Sequence, residues 1–333
     1  MAIGSGLAGS IGIGAETTYG TFAAPTRWLP WLEENLDIDR KFSDGKAVVA
    51  GSLLKQSNQT VLLTQMAKGT IKIPVTTSGL GLLLKAALGA ATGPTQQATS
   101  TAYQTVATLA STAGNSLTAQ IGRPQTDGTI TPYSYTGLKV TGLDLTVESG
   151  NVPELSVEVV GQQLTESQAL VTPVFETANP AVFSFQQVTL KAGVTIGSEV
   201  AMANVRKFDL SLKRKLDESR FYIGGNGLLA EPLEDDFLEL TGSLTADFTN
   251  TTDWDAWVLA SDNVSLIINI VGGLISTGYN YSLDIAVPVA LVQGADPNMS
   301  GPKIVEREVK FEALDDNVHA PLTMTYTSTD LTL

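Results

Sequence analysis

The sequence predicts a mainly β protein carrying two short helices. Three observations lead there. Apolar and polar residues alternate with a period of two across residues 138–161, interrupted by a turn at Ser149, Gly150 and Asn151. The same alternation returns over residues 208–213 and 238–248, as a repeat of pattern rather than of residues. Two stretches, 78–89 and 250–260, carry helix start and stop signals.

Composition sets the limits. The chain has 333 residues, of which 43% are apolar, enough for one large or two ordinary domains with a substantial core. It has no cysteine, which excludes disulfides and thiolate chemistry, and a single histidine, His319. The formal net charge is −14, so a basic nucleic-acid footprint is not expected. The longest apolar run, 264–275, is too short for a membrane span and is broken by Gly272 and Gly273. The N-terminus lacks the positive start of a signal peptide.

Taken in order, residues 1–30 are rich in Gly, Ala, Thr and Pro and read as an extended arm that needs a surface to lie on. Gly4, Gly6 and Gly9 match GxGxxG, but only three residues precede them, so the strand that a dinucleotide site requires has no room. Residues 37–59 mix Arg40, Lys41, Asp44, Lys46 and Lys55 with two glycines and exceed the usual connection length. They read as a surface loop, or as a hairpin that orders on a partner. Residues 61–75 alternate as a strand. Ser78 is the expected cap and Gly89 the expected stop of an amphipathic helix, with Leu80, Leu84 and Leu88 on one face. Residues 91–136 carry little charge and are expected as loop or weak strands at 103–109 and 117–121.

The alternating pair at 138–161 is the clearest element. Leu143, Leu145, Val147, Leu155, Val157 and Val159 form its apolar face. Its polar face holds Asp144, Thr146, Glu148, Glu154, Ser156 and Glu158, with no cation among them. The later pair adds Glu239 and Asp247 on its polar positions. Residues 217–236 form a long loop with a turn at 224–227. A second helix at 250–260 would bury Trp254, Trp257 and Val258. Strands at 182–190, 264–270, 279–289, 305–314 and 321–333 complete the chain.

No residues are assigned to catalysis, a cofactor or a metal. A triad would have to use His319 beside Asp315 and Asp316, and there is no GxSxG elbow. Aromatic residues make up 7%, thin for a sugar cleft. The pairs Asp37/Asp39 and Asp235/Asp236 lack calcium-loop spacing.

Dispersed stretches resemble one family. These are the start from Gly12 to Arg27, the leucine-rich helix at 80–89, and the strands at 205–216 with Thr241 to Leu244. The closing strand at 279–288 and the loop from Gly294 to Pro302 complete the set. In that order and texture the chain is similar to the major tail tube proteins of long-tailed, non-contractile bacteriophages, especially those infecting actinobacteria. The resemblance fits least well at 91–136, which is expected as an outer insertion. It implies a single β-sandwich or barrel domain over 1–333, in hexameric rings that stack into a tube. The sheets would join across subunits into a ring-wide β-barrel, with helices outside. The tube would house the tape-measure protein, meet tail terminator and distal tail proteins, and conduct DNA without binding it specifically. It would sit in the virion tail after assembly in the host cytoplasm, with no membrane contact.

On that reading Asp144, Glu148, Glu154, Glu158, Glu239 and Asp247 line the lumen and repel phosphate; the alternative places them on the outer solvated surface. Residues 37–59, through Arg40, Lys41, Asp44, Lys46 and Lys55, are expected to bridge rings. Two other classes stay open: a different virion protein such as a decoration or sheath component, and a carbohydrate-binding β-sandwich.

Overall fold

The computed structural model describes residues 4–175, 181–248, 263–294, 297, 299 and 301–333. The helix expected at 250–260 lies outside them. Among the described residues the chain forms nineteen strands and one α-helix. The first half holds β1 (Ser10–Ala15), β2 (Arg27–Leu29), β3 (Glu33–Glu34), β4 (Asp37–Phe42), β5 (Leu62–Pro74) and the helix α1 (Gly81–Leu88). It continues with β6 (Gly89–Gln96), β7 (Tyr103–Leu109), β8 (Leu117–Pro124), β9 (Ile130–Glu148), β10 (Glu154–Gly161) and β11 (Gln163–Thr165). The second half holds β12 (Val188–Gly193), β13 (Val200–Ala201), β14 (Val205–Lys213) and β15 (Glu239–Asp247). It closes with β16 (Asn263–Ser276), β17 (Tyr279–Gly294), β18 (Glu306–Ala313) and β19 (Thr323–Ser328).

β9 belongs to two sheets. Its first half pairs β8 and β11, and its second half pairs β10 and β14. Gly137 separates the halves. Its φ is +70°, and a Cβ there would come within 3.0 Å of the Tyr19 ring, so the bend needs glycine. From the second half a wide antiparallel sheet runs β5–β10–β9–β14–β15–β18–β17, with β3 and β4 added on β5. One side of β17 carries β16, β12 and β13; β19, β7 and β6 continue from its other side beside β18. The smaller sheet is β2–β1–β8–β9–β11. Ile13, Leu29, Leu117 and Ala119 of the smaller sheet face Ile71, Ile73, Val157 and Val159 of the larger, with Leu83 of α1 between. The result is a sandwich-like packing of apolar faces, and each fully buried Val, Leu or Ile contributes about 1.5–3 kcal/mol.

The predicted pair is β9 and β10. Leu145 faces Leu155 and Leu143 faces Val157, all four buried. The second alternating pair is β14 and β15, which joins the first through β14 and β9. Its weak point is Gly242, which lacks an apolar side chain in a core row. Phe311 of β18 fills that place, its ring stacked against Phe208 with centroids 6.0 Å apart.

The structure revises these expectations. The N-terminal stretch is not an arm without a core of its own. β1 inserts between β2 and β8 and buries Ile11 and Ile13, because two β-branched residues alternating with glycine fit a crowded sheet interior. The helix is not one-sided: every residue of α1 except Lys85 is buried. Ser78 does not cap it; the N-cap is Leu80, without a side-chain cap, whereas Gly89 ends it at φ +98° as expected. Residues 103–109 and 117–121 form regular strands, and through β7–β19 and β8–β1 they tie the low-charge segment into both sheets. Of the two expectations for 37–59, surface loop or hairpin, the structure shows the hairpin: residues 37–42 form β4 and pair the start of β5.

The C-terminus of α1 is closed by a buried cation. Arg214 donates from Nε to the Ala87 carbonyl (2.8 Å) and from Nη2 to the Leu88 carbonyl (2.6 Å), and its Nη1 lies 3.3 Å from Glu234. A positive charge at a helix C-terminus opposes the macrodipole and satisfies orphan carbonyls. Nearby, Lys139, fully buried, donates to the Thr112 carbonyl at 2.7 Å and pairs Glu231 at 2.6 Å. These contacts fasten the 216–236 strap to the helix and to the 111–116 turn. The Arg214→Met variant, which strands two carbonyls and takes the cation from beside Glu234, is expected to lose about 3 kcal/mol, read as a lower denaturation midpoint at unchanged slope.

The strap also carries an acid-sensitive group. Burial pushes the Glu234 carboxyl up. Hydrogen bonds from the Thr112 N–H, the Thr112 hydroxyl and the Ser111 hydroxyl overcome this and hold it at about 2. A depressed folded value means stability present above the unfolded value of 4.5 and lost as pH falls toward 2. Between those limits the wild-type melting temperature should fall more steeply than that of Glu234→Gln.

Candidate assembly surfaces

Alternation puts the polar positions of five adjacent strands on one face. In β14 they are Lys207, Asp209, Ser211 and Lys213, which lie opposite Glu148, Thr146, Asp144 and Gly142 of β9. On the far side of β9 come Glu154, Ser156 and Glu158 of β10. On the far side of β14 come Glu239, Thr241, Ser243, Thr245 and Asp247 of β15, then Glu306, Glu308, Lys310 and Glu312 of β18. The structure therefore brings all six sequence-identified carboxylates onto one continuous surface.

That surface is not purely anionic. Lys213 lies 3.1 Å from Asp144 and 2.8 Å from Glu158. The pair with Glu158 crosses above Gly142, where a Cβ would lie 2.8 Å from the Glu158 carboxylate, so glycine leaves the two strands' charges room to meet. Lys72 pairs Glu154 at 2.6 Å, Lys215 pairs Glu239 at 3.1 Å and Lys207 pairs Asp209 at 2.7 Å. Arg206 bridges Asp247 (2.6 Å) and Glu306 (3.2 Å). Asn151 donates to Glu148 at 3.0 Å. Partial burial works against the charge on Lys213, and its two carboxylates overcome this, raising its pKa. Carboxylates still outnumber cations on this face, and its cations Arg206, Lys207, Lys213 and Lys310 each have a carboxylate within 4.0 Å. A shallow depression of about 480 Å³ runs along this face, floored at Gly242 and walled by Asp144, Asp209, Ser243 and Glu308.

Sequence reasoning read Asp209, Ser211 and Lys213 as the polar positions of one strand but could not see which neighbour each would meet. The interleaving of lysine with carboxylate depends on strand order, which a period of two does not encode.

The second surface is the hairpin of β4 and β5. Arg40, Lys41, Asp44, Lys46 and Lys55 are all exposed on it. Its neck is closed by Ser43, whose N–H donates to the Val61 carbonyl (2.9 Å) and whose hydroxyl donates to the Gln59 carbonyl (2.6 Å). Asp44 and Lys46 pair with each other within the tip. The tip exposes large apolar residues: Leu53 at 101%, Val48 at 96% and Leu54 at 84%. The strap meets the hairpin base where Gln65 N–H donates to the Gly227 carbonyl at 2.9 Å. The apolar tip went unremarked in the sequence, although Val48, Val49, Leu53 and Leu54 stand there among polar neighbours.

His319 does not suggest a catalytic dyad. Its Nδ1 lies 2.7 Å from Asp316, and both groups are on an exposed turn. The backbone N–H and ring of His319 and the Val318 N–H hold the Asp316 carboxyl at about 2, as in a turn cap.

The model of one family, described as phage tail tube protein, matches residues 6–313, nearly the whole chain. The chain belongs to the phage tail tube protein family. It is thus a structural component of a bacteriophage tail, and the family implies self-assembly into a tube with other tail components. No curated protein matches the chain.

Proposed function

We propose that this tail tube protein forms stacked hexameric rings around the tape-measure protein, and that the polar face of β10, β9, β14, β15 and β18 lines the bore that later conducts DNA. The observation that supports this most is the pairing of every cation on that face with a carboxylate. DNA gains affinity through each phosphate that a free Lys or Arg neutralises. A wall whose cations already have carboxylate partners, with carboxylates and hydroxyls in excess, gives phosphate little to hold. Asp144, Glu148, Glu154, Glu158, Glu239 and Asp247 then face the lumen. The exposed hairpin at 37–59 links one ring to the next. The wide sheet joins its neighbours across subunits, which removes edges that would otherwise pair at random. The protein acts in the virion tail, assembled in the host cytoplasm, and meets the terminator and distal tail proteins at the tube ends.

Electron microscopy of the purified protein tests this directly. Tubes with those six side chains pointing at the axis are the expected result. A tube with the same side chains on its outer surface overturns the wall assignment, and solitary monomers at high concentration overturn the whole reading.

A further inference from the structure

Resting on that tubular reading, we infer that copies join head to tail by an apolar plug. The tip at Val48, Leu53 and Leu54 seats in a groove of the next copy, lined by Phe185, Val188, Leu190, Met202 and Val205.

Strand register places plug and groove at opposite ends of one sheet. At one end, Pro74 of β5 lies opposite Glu154, and Glu148 of β9 lies opposite Lys207 of β14. At the other end, Ala67 of β5 lies opposite Gly161. β5 continues past that second end to Leu62, where the hairpin tip begins. Thirteen residues of β5 span roughly 40 Å. The groove, about 310 Å³, opens at the first end, beside Val147, Ser149 and Arg206. A surface at one end that complements a different surface at the other end makes a heterologous contact, and such a contact repeats without closing. This is the symmetry a growing tube needs along its axis.

The chemistry of the tip points to apolar rather than ionic docking. Asp44 and Lys46 satisfy each other within the hairpin, and beside the exposed Lys55 the large groups that protrude are Val48, Leu53 and Leu54. The groove sets the half-buried side chains of Phe185, Val188, Leu190, Met202 and Val205 among Thr189, Asn204, Arg206 and Lys207, so its charged side chains are cations like Lys55 of the tip and give that lysine no complement. Stacking should therefore persist or strengthen when ionic strength rises to about 1 M, where surface ion pairs are screened within about 3 Å.

The absence of cysteine permits a clean trap. In the full-length protein carrying Leu53→Cys and Ser149→Cys, assembled tubes are oxidised mildly and run without reductant. Tip and groove of one chain are too far apart for a disulfide, which needs Cα atoms within about 7 Å, so every bridge joins two copies. A ladder of covalent oligomers that collapses on reduction is the expected result, and Met202→Asp should shorten tubes of otherwise unmodified protein to single rings. Tubes that form normally yet give no ladder, or that tolerate Met202→Asp, overturn the groove as the seat while leaving tube formation standing. Dissolution of wild-type tubes at high salt overturns the apolar plug in favour of ion pairing. If the parent protein forms no tubes at all, the tubular reading falls with it.

Discussion

Removal of residues 45–55 is expected to abolish stacking completely while leaving a folded subunit. The segment lies beyond the β4–β5 ladder, and its residues are exposed apart from Gly45, which is half-buried. The neck bonds from Ser43 to Val61 and Gln59 lie outside the deletion and keep the hairpin closed. The ends to be joined are close, since the Gln56 carbonyl lies 3.7 Å from where a Gly45 Cβ would be. No core residue is removed, so stability should change by no more than about 0.5 kcal/mol, as for surface changes generally. What is lost is the protruding apolar surface. Sedimentation should show rings or subunits at all concentrations, with the wild-type circular dichroism spectrum and melting temperature. Tubes of normal length from the deleted protein would remove the hairpin from any role in assembly.

The sequence carried the sheet well and the connections poorly. The alternation at 138–161 and 208–248 was legible because half-buried antiparallel strands must put one face in a core and one in water. Leu143, Leu145, Leu155 and Val157 accordingly fall in the core, and the six carboxylates fall together. The helix was located but its environment was not. A stretch with leucine at 80, 82, 83, 84 and 88 fits a helix buried on all sides as well as an amphipathic one, and Lys85 made it look one-sided. The N-terminus misled because glycine and alanine suggest a mobile chain. In β1, glycine permits close approach: a Cβ at Gly12 would come 2.7 Å from Pro25, and one at Gly14 would come 2.5 Å from the Ala24 carbonyl. Arg214, Glu234 and Lys139 were invisible as a network, since their partners lie in segments brought together only by the fold.

Tubes carrying Asp144→Asn and Glu158→Gln are expected to trap DNA that wild-type tubes release. Lys213 sits between these two carboxylates, and the double substitution leaves its charge in place while removing both partners. The pairs are part-exposed, so their loss should cost the fold little, less than about 1 kcal/mol each. The electrostatic consequence is multiplied by assembly. Six freed lysines in one ring, each meeting a phosphate, give a slope of log affinity on log salt of about −5, and successive rings add to it. Retained duplex should be shielded from nuclease, released steeply by salt, and lost again when Lys213→Met is added to the double variant. Phage built with the double variant should eject DNA slowly, and the triple variant should restore the rate. The location of the bound DNA distinguishes the two faces. If the variant tubes bind duplex that nuclease digests freely, Lys213 and its neighbours face the outside, and the bore is lined by another surface. If they bind no more duplex than wild type, the pairing of lysine with carboxylate on this sheet serves folding alone. A lumen assignment requires both the gain in affinity and the protection, because only a charge inside the tube can hold the duplex and hide it at once.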